Sequence, residues 1–99
     1  MIDTNHTYTK KIGEHYTIQV VKMSKAHNND WMCTLMYKDE IVRIRAIHKK
    51  KTRVETPNDR RIVELHEEGD GLSDAFEIMY ALNYKNMLTA MREHDFKKA

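Results

Sequence analysis

Apolar residues in this chain change their spacing once, at Thr56-Pro57, and that change constrains the fold more than any other feature. Before it, apolar and polar side chains alternate, the two-residue repeat of strands with one buried face. Beyond it, apolar residues recur at steps of three and four, the repeat of helices with one apolar stripe. Tyr16, Ile18 and Val20 alternate with Thr17, Gln19 and Val21, WMCTLMY from Trp31 to Tyr37 is rich in β-favouring residues, and Ile41 opens another alternating run. His6 to Ile12 alternates more weakly through Tyr8 and Ile12. Gly13-Glu14 reads as a two-residue hairpin turn, KAHNND from Lys25 to Asp30 as a polar loop, and Lys38-Asp39-Glu40 as a tight connection. Connections this short join antiparallel neighbours.

The second half begins with helix-start chemistry. Thr56 is placed to cap, Pro57 suits the first helical position, and Asp59 favours the positive end of the dipole. Ile62, Val63 and Leu65 then form an apolar face, and Gly69 is placed to end the helix. Ser73 reads as the cap of a second helix, along which Phe76, Met79, Tyr80, Tyr84, Met87, Leu88 and Met91 recur at helical spacing, with Asn83–Asn86 as its weakest point. The expected fold is α+β: an antiparallel meander of about four strands over residues 6–54, a short helix over 57–68, and a long C-terminal helix over 74–95, packed on one sheet face. All 99 residues make one domain.

Composition bounds the function. Three Gly and one Pro argue against a linker-rich chain, and no apolar run is long enough to span a bilayer. The start, MIDTNHTYTKK, lacks the layout of a signal peptide, and the single Cys33 fits a reducing cytoplasm. Net charge is +2 but uneven: residues 1–55 carry eleven Lys/Arg against six Asp/Glu, and residues 56–99 carry six against nine. Such a split describes two surfaces of opposite character.

The basic part centres on IVRIRAIHKKKTRV. As one continuous strand it places Arg43, Arg45, Lys49, Lys51 and Arg53 on one face, about 6.7 Å apart at each step of two, with Val42, Ile44, Ala46 and Val54 on the core side. A row of cations at that spacing is suited to a nucleic-acid backbone or another anionic partner. A turn at HKKK breaks the row, and a solvated edge defended by lysine explains the same residues without a ligand. Tyr8, Tyr16, Trp31 and Tyr37 are the aromatics of the sheet half and fit core or cross-strand positions better than stacking surfaces, since no aromatic interleaves with the cations between Arg43 and Arg53.

The acidic part is ELHEEGDGLSD, in which Glu67, Glu68 and Asp70, together with Tyr80 and Tyr84 on the long helix, are candidates for contact with a protein partner. Its spacing does not match a calcium loop, the six histidines show no metal-ligand pairing, and Cys33 lies mid-strand between bulky neighbours. A helix-turn-helix reading would present Asp74 and Glu77 to DNA from the first turn of the reading helix, where they repel phosphate. Neither a catalytic residue, a cofactor nor a metal is expected.

In general character, short, Lys- and Met-rich and without a catalytic signature, the chain looks like the small accessory proteins with which phages block host machinery. The expected function is therefore non-enzymatic: binding of a nucleic acid or a nucleic-acid-handling complex through the basic strand, as a phage-type inhibitor in host cytoplasm would. The alternative is a protein-interaction or inhibitor module working through the acidic half or the Met/Tyr helix, without nucleic-acid contact. Apolar width beyond the main helical stripe, at Ile78 and Leu82, leaves room for a homodimer through the C-terminal helix.

Overall fold

A computed structural model describes residues 6–23, 30–49, 52–55, 59–69 and 71–99, with the side chains of residues 52–55, 59 and 68 left out. The elements run β1 (Tyr8–Ile12), β2 (Tyr16–Lys22), β3 (Trp31–Tyr37), β4 (Glu40–Ile47), β5 (Thr52–Glu55), α1 (Asp59–Glu68), α2 (Leu72–Ala81), α3 (Met87–Glu93) and β6 (Lys97–Lys98). The sheet order is β5-β4-β3-β2-β1-β6, and every neighbouring pair is antiparallel. The α+β fold and the four-strand meander of the sequence reading are present. A fifth and a sixth strand are added to it.

The cross-strand rows explain the core. Tyr8, Val20, Cys33 and Arg45 stand opposite one another, as do Lys10, Ile18, Leu35 and Arg43, and Lys22, Trp31 and Ile47. Ile18, Val20, Cys33 and Leu35 are fully buried on this face, together with Leu65, Leu72, Met79, Leu82 and Met91 from the helical half. Ile12 pairs with Tyr16, so the first connection has three residues, Gly13 to His15, in place of the expected two. Gly13 has φ +64, which a side chain would oppose. The connection between β3 and β4 has two residues, Lys38 and Asp39.

The expected long helix is two short ones. α2 begins at Leu72 behind Gly71, which takes the capping position, with φ +88, in place of Ser73. It ends at Leu82, whose backbone is extended and whose side chain is fully buried. The next residues prefer a turn to a helix. Asn83 Oδ1 accepts from the Asn86 amide at 3.3 Å, and its side-chain amide reaches the Ala81 carbonyl at 3.4 Å. Asparagine competes with helical bonding in this way, and here it wins. α3 then closes in a Schellman turn: Phe96 N–H donates to Met91 O at 2.9 Å and Asp95 N–H to Arg92 O at 3.1 Å. Asp95 holds the left-handed position at φ 58, and Phe96 joins Met91 in the core. This turn sends the chain back alongside β1, where Ala99 N–H donates to Thr7 O at 2.9 Å.

α1 ends as expected at Gly69, φ +68, but the starting signals Thr56, Pro57 and Asn58 lie outside the described residues. Arg61 ties this helix to the sheet. Its Nε donates to Glu40 at 3.1 Å, its Nη1 to Glu64 at 3.2 Å, and its guanidinium lies 5.3 Å from the Tyr37 ring centre.

Candidate functional site

The basic row does not form. β4 ends at Ile47, which pairs with Thr52 of the antiparallel β5, and His48 and Lys49 belong to no strand; Lys50 and Lys51 lie outside the described residues. Arg45 pairs with Val54 and Ala46 with Arg53, which sets Arg53 out of step with Arg45; the side chains of Val54 and Arg53 are outside the described set. Lys49 is exposed, and His48 bonds through Nδ1 to the Asp30 carboxylate.

The assignment of faces along β4 is also reversed. Arg43 and Arg45 stand opposite Leu35 and Cys33 on the helix-covered side, whereas Ile44 and Ala46 stand opposite Thr34 and Met32 on the other. Only Val42 keeps its expected place. It is the extra residue of a bulge at Leu35/Met36, and it is fully buried.

Arg45 is 8% exposed and works inside the protein. Its Nη1 donates to Met79 O at 2.6 Å and to Leu82 O at 2.8 Å, carbonyls of the C-terminal end of α2, of which Met79 O also accepts from the Leu82 N–H at 3.3 Å. The last turn of α2 has no basic residue of its own, so β4 supplies the cation that this end of the dipole favours. The guanidinium also lies 5.3 Å from the Tyr80 ring centre. Arg43 donates to the Tyr80 hydroxyl and lies 5.1 Å from the Phe76 ring centre. Together the two arginines form a clamp on α2.

Directly opposite Arg45, Cys33 is fully buried. Burial pushes its thiol up to about 12 against the Coulombic pull of Arg45, the reverse of what a nucleophile needs.

The candidates in the helical half are dispersed. Glu67 is exposed, Tyr80 rests on the arginine clamp, and Tyr84 is half-buried against the core; Asp70 and the side chain of Glu68 lie outside the described residues. Met79, Met87 and Met91 are buried, so the methionine stripe belongs to the core. A cleft of about 130 Å³ lies between the end of α1 and the start of α2, lined by His66, Gly69, Gly71, Leu72, Ser73 and Asp74. Small-molecule pockets run to roughly 300–1,000 Å³, so this cleft is undersized. Among the described residues, no group of three or more His, Cys, Asp or Glu could hold a metal ion. No helix of the described residues is long and apolar enough to cross a membrane.

Two surfaces escaped the sequence reading. The first is the sheet face away from the helices. By register it carries Thr9, Lys11, Thr17, Gln19, Val21, Met32, Thr34, Met36, Ile41, Ile44 and Ala46. Val21, Met32, Met36 and Ile44 are half-buried, Ile41 is 44% exposed, and none of them belongs to the buried core cluster. The signal was the run of adjacent apolar pairs, Val20-Val21, Trp31-Met32 and Leu35-Met36, which put apolar residues on both faces of the central strands. The second is the β1–β6 edge, where Lys97 pairs with Thr9 and Lys98 with Tyr8, two residues from Lys11 and Lys10. Its lysines lie at opposite ends of the sequence, in YTKK and FKKA, and nothing local in either predicts the pairing. Comparison with known proteins adds no relative: no family model matches the chain, and neither does any curated protein or solved structure.

Proposed function

We propose that this chain is a non-enzymatic docking module that engages a partner protein through the helix-free face of its sheet. The observation that carries this reading is the apolar content of that face, where Met36 and Ile41 on one side and Val21 and Met32 on the other border the uncharged row Gln19–Thr34, with Ile44 joining the two. Lys11 is the one charged residue among its described β1–β4 side chains, at the β1 margin. An exposed apolar surface interleaved with uncharged polar groups suits a protein surface of the same kind. Methionine within it adds a side chain that adapts to a partner's shape.

The placement of the aromatic residues supports a protein partner over single-stranded nucleic acid on this face. Sheets that bind single strands present aromatic rings on which bases stack. Here Tyr8, Tyr16, Trp31 and Tyr37 all lie on the helix side, the first three buried and Tyr37 packed against the core. Arg43 and Arg45, the strongest phosphate ligands of the sequence reading, are directed into α2. An inhibitor acting by surface occlusion fits the same face, with no catalytic group required.

The test is capture from a nuclease-treated lysate of the cell that makes the protein, comparing wild type with Met36→Glu/Ile44→Glu and with Leu88→Ala on α3. Charges placed on the open face should abolish retention of a protein that both wild type and Leu88→Ala retain. Retention that survives Met36→Glu/Ile44→Glu, or that disappears with nuclease, would remove the proposal. If light scattering shows a dimer in wild type and a monomer in that variant, the occupant of the face is a second copy.

A further inference from the structure

The β1–β6 edge gathers four lysines that are remote in sequence. Lys11, Lys97 and Lys98 are exposed and Lys10 is half-buried. By register Lys97 and Lys11 share the open face, while Lys98 and Lys10 share the other, so the cations flank the edge on both sides. Diagonal cross-strand neighbours of this kind stand roughly 7–8 Å apart. Among the described residues none of the four has an ion-pair partner, in contrast to Arg61, which is paired with Glu40 and Glu64. Neither strand contains an acidic residue.

Edge protection alone does not explain this arrangement. A charge or two deters strand addition, whereas like charges clustered across a strand pair destabilise the fold that carries them. Four unneutralised ammonium groups are relieved by a polyanion. Duplex nucleic acid is favoured over an acidic protein because the charges face both sides of a narrow edge. A duplex offers one negative charge per about 1.7 Å of axis, and its two strands present rows of phosphates on either side of a groove, which cations on both sides of a sheet edge can meet. Lysine acts on phosphate as a point charge, without the planar fork with which arginine reads bases.

We propose that the β1–β6 edge is a sequence-independent phosphate-backbone site for duplex nucleic acid, contacted by Lys10, Lys11, Lys97 and Lys98. It lies at the β1 margin of the sheet, shares Lys11 with the open face, and stands without the docking role assigned there.

The experiment is anisotropy titration of a fluorescent mixed-sequence DNA duplex against the full chain. With three or four phosphates engaged, affinity follows salt with a log–log slope of about −2.7 to −3.6, so it falls roughly 40- to 150-fold between about 50 and 200 mM salt. Lys97→Gln/Lys98→Gln should weaken binding roughly tenfold at the lower salt and flatten the slope by about 1.8. Lys49→Gln/Lys85→Gln, exposed cations elsewhere, should change neither quantity. Should Lys97→Gln/Lys98→Gln disturb folding, Lys10→Gln/Lys11→Gln on the neighbouring strand makes the same demand. Absence of duplex binding at the lower salt overturns the proposal, as do wild-type affinity and slope in both lysine variants. Displacement of the duplex by polyglutamate at equal charge concentration also overturns it, and assigns the edge to an acidic protein.

Discussion

Replacing Arg45 with methionine tests the central contact between sheet and helices. The substitution keeps an unbranched apolar side chain in the core and removes the guanidinium that bonds Met79 O and Leu82 O. Two opposing effects decide the outcome. Hydrogen bonds to a charged group contribute about 1.5–3 kcal/mol each, and a cation at a partly buried helix C-terminus adds up to about 2 kcal/mol. Against these stands the desolvation of a buried guanidinium, an effective cost of several kcal/mol. Arg45 Nε is buried without a hydrogen bond, so part of that cost is uncompensated. The difference leaves Arg45→Met less stable by about 2–3 kcal/mol, since the Leu82 carbonyl is also stranded and the Met79 carbonyl keeps only the Leu82 N–H at 3.3 Å.

For a domain of this size that is a fall of roughly 10–20 °C in Tm. Urea unfolding followed by circular dichroism measures it, with the m-value as a check that the denatured state is unchanged. Arg45→Lys, which keeps a charge but loses the second reach, should fall between, near 1 kcal/mol. Hydrogen exchange should accelerate first at the C-terminal end of α2. If Arg45→Met unfolds within about 0.5 kcal/mol of wild type, the guanidinium costs as much as it contributes, as some buried ion pairs do, and the clamp is not what holds α2.

Two further outcomes follow from the same geometry. The Cys33 thiol is raised from 9.0 to about 12 by burial, so above pH 9 the unfolded chain sheds a proton that the native protein retains. Stability from this group is complete below pH 9 and is lost as pH rises toward 12. Between pH 8 and 10 wild type should therefore lose about 1 kcal/mol more than Cys33→Ala, and an equal loss in both would refute the assignment. Asp95 occupies a left-handed position, φ 58, in the turn that delivers β6. Asp95→Gly should raise stability by about 0.5 kcal/mol, relief of backbone strain exceeding the added chain entropy, and a lower Tm would show that the Asp95 side chain itself supports the turn.

What was legible in the sequence was periodicity and local turn chemistry. Tyr16, Ile18 and Val20 declare a strand because alternate residues share a face, and Gly69 declares a helix end because it tolerates positive φ. Those preferences act over a few residues and survive in any fold. The meander and the succession of strands by helices were therefore readable. The division of the last helix was marked by Asn83–Asn86 but decided by tertiary packing, because a buried Leu82 in extended backbone secures the turn that asparagine offers.

The candidate site depended on register, which composition does not encode. Along β4 the arginines and the small aliphatics alternate, so each parity was a possible core. A bulge at Leu35/Met36, and the carbonyls left at the end of α2, turned Arg43 and Arg45 inward. A helix end without its own cation attracts one from across the sheet, and no local pattern in IVRIRAI reveals that need. The β1–β6 edge is the converse case. Lys10 and Lys11 stand some ninety residues from Lys97 and Lys98, and only the Schellman turn at Asp95–Phe96 brings the two pairs onto adjacent strands. Sequence by itself determined the four-strand meander and the change to helices after it, since local backbone preference is short-ranged. Tertiary structure decided which charges face inward and which meet at an edge, because burial and register depend on partners distant in the chain.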